Sequence, residues 1–213
     1  DHLTPVNSPS HYEVEHAFDY KLSWQGNIFG DLETSIALNG FRQSGTPFSY
    51  TFLGDLSGYR GGKEGENVDL LYVPSLNDPN VLYADGFDLE AFNQFLDDSG
   101  LSGYRGNAVP RNSFNSPWEG TFDVRIAQEL PTGGITGKAT FFVDIENVLN
   151  LINSDWGGFE NYAGGTMNSR GVVEAEVDDQ GRYVYKSFDI DGDPVRKIGK
   201  SVWQLKVGLK YEF

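Results

Sequence analysis

The last thirteen residues, SVWQLKVGLKYEF, alternate between apolar and polar side chains and stop on an aromatic residue. Residues two apart in a β-strand share a face. One face of this segment therefore carries Trp203, Leu205, Val207, Leu209, Tyr211 and Phe213. A rise of ~3.3 Å per residue and a tilt of ~40° put its aromatic ends roughly 25 Å apart along a membrane normal. That is the height of the lipid-facing band between the two aromatic girdles of a transmembrane barrel.

The same division occurs in four other segments, so five strands are predicted at about 13–25, 32–43, 118–130, 138–151 and 201–213. Nearly every ionisable side chain falls on the second face, and only His16 and Arg42 fall on the apolar one. Phe142 and Val148 are exceptions to the alternation of the fourth segment. The strands of a soluble sandwich are usually shorter, ~5 to 6 residues, and have a mixed outer face. The pattern therefore predicts an all-β chain whose strands belong to a transmembrane antiparallel β-barrel.

The connections between these strands are alternately short and long. GNIFGD (26–31) and PTGGITG (131–137) are short and glycine-rich, as hairpin turns require. The other two connections, at about 44–117 and 152–200, are long. In outer-membrane barrels the short turns are periplasmic and the long loops extracellular. We therefore expect two extracellular loops and a carboxyl end at the periplasm.

Both long loops carry signals of local structure. Asp88 is a suitable N-cap for one short loop helix that would end at Gly100, with an apolar stripe of Leu89, Phe92, Phe95 and Leu96. The segments 172–177 and 182–188 flank DDQG and predict one loop β-hairpin that rises above the membrane as a two-stranded ribbon. The 44–117 loop far exceeds the ~12 to 15 residues of an unstructured connection, so it should have a function or a fold of its own. Its aromatic residues could offer stacking surfaces to a ligand, although packing of the loop on itself is the simpler use for most of Phe48, Tyr50, Phe52, Tyr59, Tyr72, Tyr83 and Tyr104.

An acidic cluster in the second loop suggests a cation site without meeting its pattern. Asp189, Asp191 and Asp193 surround Gly192, but they lack the residue order of a calcium loop and its closing glutamate. A solvated turn is the simpler interpretation. No metal site and no cofactor are predicted.

Composition excludes several classes of protein. The chain has no cysteine, so it has neither a disulfide framework nor a thiolate metal site. The sequence contains no run of ~18 apolar residues, so no transmembrane helix is predicted. A net charge of −15 argues against a nucleic-acid partner, which needs a basic patch. No nucleophile elbow, metal-spaced histidine pair or phosphate loop is present, and His2, His11 and His16 all lie near the amino end, so an enzyme is not expected.

Several blocks of the sequence also resemble a known family. They are GTPFSYTF (45–52), YRGNAVPRNSFNSPW (104–118), FDVRIAQELP (122–131), GKATFFVDIENVLNLINSDWG (137–157) and the terminal strand. Their order resembles the carboxyl-terminal portion of TonB-dependent outer-membrane receptors, specifically the Oar-like group. The resemblance implies a bacterial outer-membrane location and a barrel of roughly 22 strands, of which these are the last five. It also implies a preceding plug domain and a TonB-contacting segment, neither of which is recognised here, so we expect a segment of a longer receptor.

The expected function is part of a TonB-dependent receptor or transporter that takes up a scarce extracellular solute with energy from the inner membrane. The implied partners are the rest of the barrel with its plug domain, the TonB complex, outer-membrane lipid and the barrel insertion machinery. The residues expected to face the lumen and to meet plug, water or substrate are Glu13, Glu15, Asp19, Lys21, Glu33, Asp123, Arg125, Asp144 and Glu146. A wet lumen also permits charges that bind nothing. The alternative function is surface interaction or adhesion, with the barrel as an anchor only.

The terminal strand has a second expected use. Its aromatic end resembles the signal by which insertion machinery recognises outer-membrane barrels. We therefore expect an assembly signal and aromatic girdle at Trp203, Leu205, Leu209, Tyr211 and Phe213. A role for Phe213 in the girdle alone is compatible with the same sequence.

Overall fold

The computed structural model describes residues 7–54, 56, 69–162, 168–190 and 194–213. The described chain is mostly β and separates into two compact units that alternate along the sequence. Unit 1 comprises the described residues of 1–13, 46–116 and 161–195, and unit 2 comprises 14–45, 117–160 and 196–213. Within the described residues, no helix combines the length and the apolar character needed to cross a membrane.

The longest strands, of 12 and 13 residues, all belong to unit 2. In chain order the strands of the described residues are β1 (Ala17–Phe29), β2 (Leu32–Gln43), β3 (Pro47–Leu53), β4 (Tyr72–Val73), β5 (Val81–Tyr83), β6 (Asn107–Ala108), β7 (Phe114–Asn115), β8 (Glu119–Leu130), β9 (Lys138–Glu146), β10 (Glu160–Asn161), β11 (Ser169–Val177), β12 (Tyr183–Phe188), β13 (Val195–Arg196) and β14 (Gln204–Glu212). The helices are α1 (Leu89–Asp98), α2 (Val148–Ile152) and α3 (Ile198–Ser201), and a 3-10 turn spans Leu101–Tyr104.

Unit 2 is built on a five-stranded antiparallel sheet in the order β1-β2-β8-β9-β14. One row of register partners crosses all five strands and is wholly apolar: Leu22, Leu38, Val124, Ile145 and Leu205. The next such row is Trp24, Ile36, Ile126, Val143 and Val207. We call the face that carries these rows the apolar face and the opposite one the polar face. Because Arg42 is the only Asp, Glu, Lys or Arg of these five strands on the apolar face, the predicted segregation of the two faces is confirmed.

The apolar face is largely exposed. Leu22, Val207 and Leu209 have 69%, 56% and 67% of their surface accessible, and none of the residues in either row belongs to the buried core. The sheet is open, and among the described residues β1 and β14 form its two edges. Unit 2 therefore presents a broad apolar surface and two strand edges.

Unit 1 has a core of its own. Its sheet has the order β5-β12-β11-β3-β7, in which β11 pairs parallel with β3 and β12 pairs parallel with β5. The strands β4 and β6 form a separate antiparallel pair. Phe52, Leu71, Phe92, Val173 and Tyr185 are each at most 1% exposed within this core. The long connections are therefore folded segments.

The loop helix α1 is confirmed. The Asp88 carboxylate accepts a hydrogen bond from the backbone N–H of Ala91 at 2.9 Å, which satisfies one of the free donors of the first turn. Phe92 and Leu96 are buried against the core. Gly100 follows with a φ of +76°, a conformation that glycine adopts without steric cost. Three members of the predicted stripe, Phe92, Phe95 and Leu96, therefore pack the helix onto the unit 1 core, whereas Leu89 is exposed.

The first strand was predicted too early in the chain, at 13–25, and lies at Ala17–Phe29. The reversal needs only two residues, Gly30 and Asp31, and the φ of +64° at Gly30 fits the first central position of a type II′ turn. Pairing therefore continues through most of GNIFGD, with an irregularity between Asn27 and Phe29.

The fourth and fifth strands are shorter than predicted. The strand β9 ends at Glu146 instead of residue 151, because Asn147 adopts a left-handed conformation (φ 52°, ψ 53°) that cannot continue a strand. Residues 148–152 form α2 instead. The strand β14 begins at Gln204 instead of residue 201, because the preceding residues form α3.

The loop hairpin is present as β11 and β12, but the prediction of an isolated ribbon was wrong. The Asp178 carboxylate closes the turn by accepting the N–H groups of Gln180 and Arg182, both at 2.9 Å. The hairpin is the centre of the unit 1 sheet, because β3 and β5 pair with its two outer edges.

Candidate functional site

Charged side chains on the polar face of unit 2 face one another across strands. One row of register partners there is Ser23, Ala37, Arg125, Asp144 and Lys206. Its last three members alternate in charge over β8, β9 and β14. Opposite charges in register attract neighbouring strands. The row therefore places a charged strip across the half of the sheet next to β14.

Arg125, at one end of this strip, contacts two side chains of β9. Its Nη1 lies 3.2 Å from Asp144 Oδ2, and its guanidinium carbon lies 4.4 Å from the centroid of the Phe142 ring. The same ring covers the backbone of Gly208, where a Cβ would lie only 2.3 Å from a ring atom. Phe142 thus interrupts the polar alternation because it holds the guanidinium on one side and fills the space left by a glycine on the other.

A second group of charges lies at the turn end of the polar face. Lys138 Nζ lies 3.4 Å from Glu129 Oε2 and 3.7 Å from Glu33 Oε2. The Glu33 backbone N–H also donates to Glu129 Oε2 at 3.2 Å. These groups are partly exposed, and such pairs typically contribute ~0 to 1 kcal/mol each in water. Their shared lysine nevertheless connects β2, β8 and β9.

The structure places most of the predicted lumen residues on this one face. They are Asp19, Lys21, Glu33, Asp123, Arg125, Asp144 and Glu146. Glu13 and Glu15 both precede β1 and therefore do not belong to a strand of the sheet. The Glu13 N–H donates to Ser10 O at 3.0 Å, and the Glu15 N–H donates to Ser44 Oγ at 3.0 Å.

Asn147 is a structural centre that sequence reasoning missed. Its backbone N–H donates to Asp123 Oδ1 at 2.7 Å, and its Nδ2 donates to the carbonyls of Gly157 and Ser201, both at 2.9 Å. The side chain is 3% exposed. A Cβ at Gly157 would lie 2.0 Å from Asn147 Oδ1, so only glycine fits there. The break in alternation at Val148 was the sequence signal that could have revealed this junction.

Beside this junction, unit 2 contains a pocket of about 380 Å³. Two indole rings, Trp118 and Trp156, line it together with Arg42 and the carboxylates of Asp155 and Glu160. Glu160 Oε1 also lies 3.8 Å from the Nε of Arg196. Aromatic faces accept flat or CH-rich groups, and carboxylates accept hydrogen bonds. The pocket can therefore hold a small solute that has both an apolar face and hydrogen-bond donors.

The terminal strand places its aromatic residues at the end of the apolar face. Leu205, Leu209 and Tyr211 lie on that face, whereas Trp203 immediately precedes β14 and Phe213 follows it. The Tyr211 hydroxyl donates to Thr136 O at 2.6 Å, in the turn between β8 and β9. Tyr211 therefore ties the last strand to the neighbouring hairpin, whatever else the terminal residues do.

Among the described residues of unit 1, the carboxylate of Asp78 has an unusual environment. Partial burial would raise the pKa of this carboxyl, but hydrogen bonds lower it to about 2. The donors are the backbone N–H groups of Ser75 and Asn80, each at 3.0 Å, and the hydroxyls of Tyr72 at 2.9 Å and Ser75 at 3.1 Å. Asp78 thus fixes the loop between β4 and β5, a role that the sequence did not indicate.

The loop aromatics mainly pack unit 1 on itself. Phe48, Tyr50 and Phe52 are 2%, 5% and 1% exposed, and Tyr72 and Tyr104 pack against the same core. Burial raises the pKa of the Tyr185 hydroxyl, which donates to Tyr72 O. Tyr83 remains 40% exposed, and Tyr59 lies outside the described residues. Packing is therefore the use that the structure shows for most of them.

The acidic cluster of the second loop is only partly described. The Asp189 N–H donates to Val172 O at 3.1 Å, which continues the pairing of β12 with β11 beyond Phe188, whereas Asp191 and Asp193 lie outside the described residues. In the part of the chain that the structure describes, no three His, Cys, Asp or Glu side chains are grouped so as to hold a metal ion.

Comparison of the chain with protein-family models, curated proteins and solved structures found no match. The functional proposal is therefore based on the sequence and the structure of this chain alone. Two features are specific enough to do so: the segregated faces of the unit 2 sheet and the junction at Asn147.

Proposed function

We propose that the unit 2 sheet is a section of the wall of an outer-membrane β-barrel, in a TonB-dependent receptor that takes up an extracellular solute. The observation that carries the proposal is the continuity of the apolar face. Two successive rows cross all five strands without a polar or charged member. Alternation in one strand is common, but alternation that remains in phase across four strand pairs supports an apolar environment along these two rows.

Exposure supports the same proposal. A sheet that packs on a core buries its apolar face, whereas here the side chains of Leu22, Val207 and Leu209 are more than half exposed. Water-soluble monomers rarely expose apolar patches larger than a few hundred Å². Lipid is the environment in which such a face is stable.

The two edges of the sheet add a requirement. Unpaired backbone groups cost several kcal/mol each in hydrocarbon, so β1 and β14 must both be paired in a membrane. The proposal therefore includes further strands that close the barrel against these edges. The polar face then lines the interior, where Arg125, Asp144 and Lys206 meet water, a plug domain or a solute.

The receptor family rests on the resemblance of the sequence blocks, and the structure adds one fact in its favour. The two most specific blocks, FDVRIAQELP and DIENVLNLINSDWG, are joined by the 2.7 Å hydrogen bond from Asn147 to Asp123. They also supply Phe122, Asp155 and Trp156 to the pocket. The resemblance is thus concentrated in residues that build one local structure.

Adhesion or surface interaction is the second candidate function, favoured by the independent core of unit 1. A loop that only connects strands does not need thirteen buried apolar residues. In this alternative, the barrel anchors unit 1, and unit 1 binds the partner.

Spin labelling tests the membrane wall. We expect labels at Leu205, Val207 and Leu209 in the bilayer-reconstituted protein to be accessible to oxygen, and labels at Lys206 and Gln204 to a water-soluble relaxer. Equal accessibility of both sets to the water-soluble reagent contradicts the proposal.

Deletion of residues 78–100 separates the two candidate functions, because it removes α1 and part of the unit 1 core. The deleted protein must first show an inserted, heat-resistant barrel on gels. Loss of energy-dependent uptake with intact surface attachment then supports the receptor, and the opposite result supports adhesion.

A further inference from the structure

Arg42 is the one charged residue on the apolar face of the five described strands. It lies near the end of β2, where its register partners are Phe18 on β1 and Gly120 on β8. Gly120 has no side chain, so Phe18 is the only register partner that places a side chain beside the guanidinium. The position thus combines a cation with aromatic neighbours on an otherwise apolar surface.

Aromatic residues surround this cation. Phe18, Tyr20, Arg42 and Trp118 line a shallow groove of about 340 Å³. The Arg42 guanidinium carbon lies 5.9 Å from the centroid of the Trp118 ring, and that ring stacks on Phe18 with 6.2 Å between centroids. Arg42 takes part in none of the ion pairs found among the described residues. The groove therefore offers an apolar floor beside a cation that forms no ion pair among the described residues, although Asp155 and Glu160 line the larger pocket to which Arg42 also belongs.

An arginine in this position has a specific chemistry. Aromatic side chains mark the headgroup level of a membrane protein, and an arginine that is costly at the bilayer centre is tolerated at that level. A guanidinium presents parallel N–H donors that match the oxygens of a phosphate. The chain as a whole has a net charge of −15, so general attraction does not concentrate anions on it. Any preference for an anion at this place must therefore be local.

We propose that Arg42 and this groove bind the anionic phosphate headgroup of a membrane lipid, with an acyl chain lying on Phe18, Tyr20 and Trp118. The inference rests on the proposed function, because it requires that the apolar face contacts lipid. It goes further by naming one position at which a particular lipid class is held.

Tryptophan fluorescence can report on this groove and on a matched control position. Trp118 lies in the groove, whereas Trp24 lies on the same face with no ionisable residue of the described strands beside it. In the complete receptor, Trp118 is left as the only tryptophan by replacing every other tryptophan with phenylalanine, including Trp24, Trp156 and Trp203. The control retains Trp24 and carries Trp118→Phe instead. Each is reconstituted in phosphatidylcholine vesicles that contain a minority of brominated phosphatidylglycerol or brominated phosphatidylcholine, since bromine quenches indole fluorescence on contact.

We expect brominated phosphatidylglycerol to associate with Trp118 about five-fold more strongly than brominated phosphatidylcholine, the ratio typical of one basic residue at an anionic lipid surface. Arg42→Gln should abolish the preference, and Arg42→Lys should retain part of it because the charge remains and the planar fork is lost. At Trp24 the two brominated lipids should quench equally.

Other outcomes separate the inference from the proposed function. Quenching at both positions without a headgroup preference overturns the lipid site and leaves the membrane wall intact. An equal preference for phosphatidylglycerol at both positions also overturns it, because the attraction is then general. Absence of quenching at Trp24 refutes the lipid-facing sheet and the site with it. If the single-tryptophan proteins do not insert, native mass spectrometry of the unsubstituted protein and of Arg42→Lys decides the same question, and equal retention of the two lipids overturns the site.

Discussion

Placing a charge at the centre of the apolar face gives the sharpest test of what that face contacts. Val207 lies four residues from Trp203 and four from Tyr211, so it is midway between the aromatic ends of β14. Its side chain is 56% exposed and belongs to a row that is apolar across all five strands. We expect Val207→Lys to destabilise the protein strongly in a bilayer, although exposed positions of water-soluble proteins tolerate such a change.

The magnitude follows from the environment. A lysine or arginine at the bilayer midplane of a barrel costs about 2–4 kcal/mol, whereas a substitution on a hydrated surface typically changes stability by less than about 0.5 kcal/mol. Gln204→Lys is the matched control, since it adds the same charge to the polar face of the same strand. The expected difference between the two variants is therefore about 2 kcal/mol or more, which corresponds to at least a thirty-fold change in the folding equilibrium.

The measurement is reversible urea unfolding of the protein in phospholipid vesicles, followed by tryptophan fluorescence. Gel mobility with and without heating reports the inserted fraction independently. If Val207→Lys costs no more than Gln204→Lys, the apolar face does not contact hydrocarbon and the membrane wall is wrong.

Three further predictions concern other parts of the chain. Asn147→Gly keeps the left-handed backbone but leaves the carbonyls of Gly157 and Ser201 without their buried donor, so the free energy of unfolding should fall by about 2–4 kcal/mol in denaturant titrations; a change below 0.5 kcal/mol contradicts the role of the junction. Deleting Phe213 should reduce the membrane-inserted fraction much more than Phe213→Tyr does, and equal insertion of all three forms, measured by heat-modified gel mobility, rules out the assembly signal. The lowered pKa of Asp78 stabilises unit 1 at pH values above the ordinary carboxyl range, and this stabilisation is lost as the pH falls from about 4 towards 2, so hydrogen-exchange protection of the α1 amides should decrease over that interval and Asp78→Asn should remove the dependence.

Local patterns predict the parts of this fold that local interactions determine. The strands β2 and β8 lie within a residue of their predicted bounds, because strict alternation over twelve positions ends clearly at both ends. The helix α1 follows from a cap and a stripe that need no information from elsewhere. The first strand was misplaced because the sequence shows where glycines occur and does not show that two residues are enough for the turn.

Pairing between distant segments cannot be predicted from local sequence patterns. The strand β3 is buried along almost its whole length, so it shows no alternation, and its parallel partner β11 lies more than 110 residues later. Two segments without a common period give no signal that they will meet. Periodicity therefore could not predict the core of unit 1. For the same reason it could not predict that the β11–β12 hairpin belongs to a larger sheet.

In the unit 2 sheet, two phenylalanine rings lie over glycines of the neighbouring strand. A Cβ at Gly40 would lie 2.5 Å from Thr121 O and 3.0 Å from the Phe122 ring, which stacks on Tyr20 across the glycine with 5.2 Å between centroids. Phe142 covers Gly208 in the same way on the opposite face. A glycine weakens a strand because it exposes backbone and adds flexibility, and a ring laid over it restores contact while permitting the sheet to bend. The phenylalanine that breaks the polar alternation therefore covers the backbone that Gly208 would otherwise leave exposed.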